Sequence, residues 1–215
     1  MKLSMMRLVL GPLQNNVYLL ADEDSQDAVV IDPSFGSETV LVQAERQSWH
    51  LRQVWITHAH YDHIAGVAAL STAFDPPLPV GMHADAYAWL LEQEHVVKFG
   101  VPIDLLPEPG IFFKEGQQLT LTPGGQEFAV EVRHAPGHSP GSVIFYCASL
   151  SVAFCGDVIF RASIGRTDLP GGHHDMLIES IRTRVLSLPE STTLLPGHGP
   201  ESSVGFERLY NPYLA

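Results

Sequence analysis

The chain has 215 residues, 45% of them hydrophobic and 17% charged, with a formal net charge of -12. That length suits one large domain, expected over residues 1-215, and leaves little room for two catalytic domains. With 12 Lys and Arg against 24 Asp and Glu, the balance argues against nucleic acid or an anionic membrane as partner, because phosphate contacts need clustered cations. No apolar run approaches the roughly 20 residues of a membrane helix. Arg7 falls where a signal peptide needs an apolar stretch, so a cytoplasmic protein is expected.

In chain order, Lys2 to Leu10, Val17 to Ala21 and Ala28 to Ile31 read as strands, the third ended by Asp32-Pro33-Ser34. A helix is expected from Glu38 to Ser48 with Ser37 as its cap. Gln53 to Thr57 reads as a strand, and Ile64 to Phe74 as a helix with Asp62 near its N-terminus. Pro79 to Met82 is a short strand and His83 to His95 a helix. Val96 to Glu115, rich in Pro and Gly, reads as an irregular surface excursion.

The second part repeats the scheme, with strands at Gln118 to Leu121, Phe128 to His134, Ser142 to Cys147 and Ser151 to Phe154. A helix from Asp175 to Leu186 and a strand from Thr192 to Leu195 follow. Strand-rich halves with helices between them suggest two mixed sheets face to face, helices outside. Cys147 and Cys155 form no C-x-x-C pair and read as small buried apolar side chains.

Thr57-His58-Ala59-His60-Tyr61-Asp62-His63 packs three imidazoles and a carboxylate directly after an apolar stretch. His58 and His60, at i and i+2 of an extended chain, point to one side and can share a cation. Asp62 and His63 fall past the turn, aim elsewhere and could supply a second ion; such a donor set suits zinc or iron. Gly137-His138, Gly156-Asp157 and Gly197-His198 add three donors, each behind a glycine that permits a tight turn at a strand's end. Five histidines and two aspartates are the number that two metal sites need.

The remaining histidines, His50, His83, His95, His134, His173 and His174, show no ligand spacing. His173-His174 reads as an exposed loop pair, and His134 as alternating within its strand. Arg166 and Asp168 suggest a local ion pair, with Arg166 meeting an anionic substrate group as the alternative. Tyr61 reads as packing, and Phe206, Tyr210 and Tyr213 as an aromatic tail docked on the core.

At this point the chain resembles the metallo-β-lactamase superfamily, whose H-x-H-x-D-H signature matches His58 to His63 without a gap. Gly165-Arg166-Thr167-Asp168-Leu169-Pro170-Gly171-Gly172 and Pro196-Gly197-His198-Gly199-Pro200 are similar to the glyoxalase II branch. The tail Gly205 to Pro212 is similar to that of its short bacterial members. The resemblance implies an α+β fold, an αββα four-layer sandwich with a dinuclear centre at one edge. It implies that His58, His60 and His138 hold one metal, that Asp62, His63 and His198 hold the other, and that Asp157 bridges them. Two zinc ions are expected, with iron or manganese also suitable.

The activity so implied is hydrolysis of a small-molecule thioester such as S-lactoylglutathione by a metal-activated hydroxide that Asp62 orients. Persulfide dioxygenases of the same superfamily, which use one iron and share a Gly-Arg-Thr-Asp loop, are the rival. A metal-stabilised binding module without turnover is the third reading. Full-length glyoxalase II has a further C-terminal helical segment that helps bind glutathione, whereas 17 residues follow His198 here, so a loose hold on glutathione is expected.

Overall fold

β2 (Asn15–Asp22) is buried at every residue, and a strand covered on both faces needs a layer on each side. Along it Val17, Leu19 and Ala21 face helices, while Tyr18 and Leu20 face a second sheet, following the two-residue period of a strand. The computed structural model describes residues 2–92, 106–121 and 130–214.

The first sheet runs β1 (Leu3–Leu10), β2, β3 (Asp27–Ile31), β4 (His50–Trp55), β5 (Val80–His83) and β6 (Ile111–Phe113) in spatial order. β1 to β3 pair antiparallel, and β3 to β6 parallel. Its outer face packs against α1 (Glu38–Arg46), α2 (Tyr61–Ile64), α3 (Val67–Thr72) and α4 (Ala84–Glu92) through Val40, Ile64, Leu70 and Leu90. The second sheet contains β7 (Gln118–Leu119), β8 (Val130–His134), β9 (Val143–Cys147) and β10 (Val152–Gly156). After the small hairpin β11 (Ile159–Phe160) and β12 (Ser163–Ile164), β13 (Thr193–Pro196) and β14 (Ser202–Ser203) complete it.

Trp55, Phe113, Phe145 and Phe154 fill the space between the sheets. Leu177, Ile181 and Val185, from the helix His174–Ser180 and the π-helical turn Ile181–Val185, cover the second sheet's outer face. The result is the expected four-layer αββα metallo-β-lactamase fold, with each sheet's inner face closed by the other.

Several local expectations change. Ser37 makes no side-chain cap to α1; its hydroxyl donates instead to Gly66 O at 3.2 Å. The single helix expected from Ile64 to Phe74 is two short ones, broken at Ala65-Gly66. Gly66 N donates to Pro33 O, and a Cβ at Gly66 would lie 2.4 Å from Ser34 O, so the break follows from close packing against the Pro33-Ser34 turn. The helix expected to reach His95 is α4, and its last three expected residues lie outside the described residues. So does the first half of the Val96 to Glu115 excursion, whose later part supplies β6.

His173 is a helix cap, its Nδ1 accepting from Met176 N. The tail docks through Val204 and Glu207 of the helix Val204–Tyr210 and through Asn211 just past its end; of the expected aromatics Phe206 is half-buried, whereas Tyr210 is 65% and Tyr213 51% exposed. Cys147 and Cys155 are buried and free. Cys147 lies opposite Val152, not Cys155, and burial pushes the Cys155 thiol up to about 12. Among the described residues no helix is long and apolar enough to cross a membrane.

Candidate metal centre

The parallel pairs set the position of the site, because their carboxyl ends open at one edge of the sandwich. β3 and β4 end together at Ile31 and Trp55, so Asp32 and the His58 to His63 segment emerge side by side. β10 and β13 end at Gly156 and Pro196, so Asp157 and His198 do likewise. Val143 N donates to Thr57 O at 2.8 Å and stitches the two sheets at this edge. Gly197 permits a close approach, since a Cβ there would stand 2.3 Å from Asp157 Oδ1.

All seven predicted residues meet. His58, His60 and His138 place one donor atom each within 4.8 Å of one another, and Asp62, His63 and His198 do the same. In the first set His138 Nε2 lies 2.8 Å from His60 Nδ1. In the second, Asp62 Oδ2 is 3.1 Å from His198 Nε2 and 3.5 Å from His63 Nε2. Asp157 lies between the sets, with Oδ1 3.4 Å from His63 Nε2 and Oδ2 3.7 Å from His138 Nε2 and from His198 Nε2.

Four imidazoles have one nitrogen committed as a donor, which leaves the other with a bare lone pair when the ring is neutral. His138 Nδ1 donates to Arg166 O at 2.8 Å and His198 Nδ1 to Leu13 O at 3.0 Å. His63 Nδ1 donates to Asp32 Oδ2 at 2.9 Å. Thr57 Oγ1 donates to Asp32 and therefore accepts from His58 Nδ1 at 3.0 Å. On the inward side, His58 Nε2, His63 Nε2 and Asp157 Oδ1 are buried without a hydrogen-bond partner among the described residues. Buried polar atoms left unmatched cost about 1–3 kcal/mol each unless something satisfies them. The donors fit a pair of transition-metal cations held side by side.

The electrostatics of the two sets differ. Burial and neighbouring imidazoles hold His58 well below its ordinary value, burial takes His60 down to about 3, and His138 falls for the same reason. All three shifts favour the neutral ring, the form in which an imidazole can bind a metal. In the second set burial opposes the charge of His63, but Asp157 and Asp32 outweigh it and raise the ring well above its ordinary value. His198 is likewise raised, against burial, by Asp62 and Asp157. Burial also works against ionisation of Asp62, yet His198, His63 and Asn15 hold it below the usual carboxylate range.

Two residues that the sequence reading missed support the ligands. Asp32 accepts from Thr57 N, Thr57 Oγ1 and His63 Nδ1, and Asn15 donates to Asp62 Oδ2 at 2.7 Å. Arg166 forms a two-pronged ion pair with Asp168, both contacts 2.8 Å, while its carbonyl orients His138. Tyr61 packs edge-on against Phe35. His83 and His134 stack at 4.0 Å, 8° from parallel. Asp85 completes a separate donor group there, but parallel rings aim their lone pairs side by side, and His83 Nδ1 already accepts from Asp85 N.

A model of the metallo-beta-lactamase superfamily matches residues 10–198. Hydroxyacylglutathione hydrolase GloC of Haemophilus influenzae is 35% identical over 202 residues, 94% of this chain and 93% of its own length. The crystal structure of BLEG-1 B3 metallo-beta-lactamase superposes with a TM-score of 0.87 at 37% identity, covering 99% of this chain and 100% of that one. TTHA1623 in a di-iron-bound form gives a TM-score of 0.83 at 37% identity over 97% of this chain and 100% of that one. The chain belongs to the metallo-β-lactamase superfamily and is an enzyme of its metallo-hydrolase kind.

Proposed function

We propose that the protein is a thioester hydrolase of the glyoxalase II type, cleaving an S-acyl-glutathione such as S-lactoylglutathione to a carboxylic acid and a thiol. The observation that carries this reading is Asp157, placed with one oxygen toward His63 and the other toward His138 and His198, between two complete three-donor sets. In this reading His58, His60 and His138 hold one ion, Asp62, His63 and His198 the other, and Asp157 is shared. Zinc is the proposed metal, and iron or manganese suits the same donors. Bound there, the ions would polarise the thioester carbonyl and bring the pKa of water from about 15.7 toward neutrality.

The chain's own residues supply the rest. Asp62, held ionised by its neighbours, can accept a hydrogen bond from the attacking water and so orient it. No protein nucleophile is needed. The buried hydroxyls of Ser139 and Ser142 bond each other at 2.9 Å, and burial keeps the Cys155 thiol protonated. Arg166 fixes His138 through its carbonyl, and its exposed guanidinium, held by Asp168, is the candidate contact for an anionic group on the substrate. A cytoplasmic setting belongs to the same proposal, in keeping with two free thiols.

The similarity to GloC supports the thioester, and the name of BLEG-1 motivates β-lactam hydrolysis as a second reading. The test is thiol release from S-lactoylglutathione by zinc-loaded protein, run beside glutathione persulfide in an oxygen electrode and a chromogenic cephalosporin. Thiol and lactate are expected in equal amounts without oxygen uptake. Rapid oxygen consumption with persulfide, abolished by iron chelation, would move the protein to the dioxygenases. Cephalosporin opening with no thioester cleavage would move it to the β-lactamases.

A further inference from the structure

Asn15 opens β2, is fully buried, and reaches both ends of the second ligand set. Its Nδ2 donates to Asp62 Oδ2 at 2.7 Å and stands 3.4 Å from His198 Nε2. Its backbone forms an isolated bridge with His198. The next residue closes the same loop from the other side: Asn16 N donates to Gly197 O, and Asn16 Nδ2 to Pro196 O and Gly199 O. The two asparagines differ in one respect. The Asn16 amide donates to backbone oxygens of the loop, whereas Asn15 crosses to a carboxylate 47 residues away and leaves its own Oδ1 buried with no hydrogen-bond partner among the described residues.

The large majority of buried side-chain polar atoms have a hydrogen-bond partner. Here the donor end is committed to Asp62, because a carboxylate can only accept, and the acceptor end is left unmatched. We propose that Asn15 is a positioning residue, which ties Asp62 to His198 and so sets the affinity of the second ion's half of the centre. The inference rests on the two-ion reading above. It assigns to Asn15 no contact with substrate.

The test is competitive chelator titration of zinc, with cobalt spectra as a second readout, on wild type, Asn15→Ala and Asn15→Ser. The first equivalent should bind as in wild type, and the second about 10–100-fold more weakly, the usual effect of losing a partner that orients a ligand. The cobalt spectrum of the second equivalent should change while that of the first does not. Equal affinities in variants and wild type would overturn the proposal. So would parallel weakening of both equivalents, or failure of both variants to fold without metal, since either marks a structural role. A wild type that binds one equivalent would instead remove the two-ion reading, and thioester hydrolysis is not a readout at all.

Discussion

Asp32 and His63, 31 residues apart, meet through a 2.9 Å hydrogen bond from imidazole Nδ1 to carboxylate Oδ2, both side chains buried. The same carboxylate accepts from Thr57 N at 2.7 Å and Thr57 Oγ1 at 2.5 Å. Asp32 thereby fixes both the start of the histidine segment and the ring at its end. Its backbone sits at φ 52°, in the left-handed region, a conformation that Asp tolerates better than most residues. An oriented imidazole presents one lone pair in one direction, and this is how a site far from its support is kept in register.

Asp32→Asn keeps the volume but cannot accept at both ends. The second ion should bind about 10–100-fold more weakly, and stability should fall by about 2 kcal/mol, the range for a buried hydrogen bond to a charged group. Chelator competition and the urea midpoint measure the two effects. No change in either would show that His63 is oriented by something else.

Acid should remove the ions in a fixed order. His63 and His198 have raised pKa values, so protons compete for their nitrogens as the pH falls through those values. His58, His60 and His138 are lowered and stay neutral to more acid pH. Dialysis against buffers of decreasing pH should therefore release the ion of the Asp62, His63 and His198 set first, leaving about one equivalent. Simultaneous loss of both, or earlier loss from the first set, would contradict the assignment.

The seven candidate donors were legible because their spacing is local, within one seven-residue segment or as a single side chain behind a strand-end glycine, while the grouping of His138 and His198 with particular partners comes from the family resemblance. Their supports were not. Asp32 reads as the end of a strand and is one, but its role comes from a histidine on another element. The second strand is expected only from Val17, whereas it begins at Asn15 and buries both asparagines. Likewise the break at Gly66 depends on a turn about 30 residues earlier in the chain, with Pro33 O as its partner, and the stacking of His83 on His134 joins the two sheets' strand ends. Local pattern shows what a residue can do. Long-range pairing decides which residues do it.

Glu207 shows the same limit on the stability side. It is fully buried beneath a tail whose aromatics draw the eye, and it accepts from Ala162 N at 3.1 Å, from Asn211 Nδ2 at 2.7 Å and from Ser202 Oγ. Glu207→Ala would leave those donors unmatched and open a cavity, with an expected loss of about 3 kcal/mol by urea unfolding. Tyr210→Ala, at an exposed site, should stay within about 0.5 kcal/mol. Equal losses would restore the aromatic-docking account of the tail.

Gly197→Ala tests whether Asp157 serves both ligand sets. The added Cβ would lie 2.3 Å from Asp157 Oδ1 and 2.6 Å from His63 Cε1. The backbone has little freedom to retreat, because Gly197 N donates to Gly156 O at 2.8 Å and Gly197 O accepts from Asn16 N at 2.7 Å. The methyl must therefore displace Asp157 from between the sets and press on the His63 ring as well. Both equivalents of metal should bind more weakly, as in Asp157→Ala, and thioester kcat/KM should fall at least about a hundredfold, near 3 kcal/mol of transition-state stabilisation. Weakening confined to one equivalent would assign Asp157 to a single ion, and unchanged metal content would show that the Gly197 backbone yields instead.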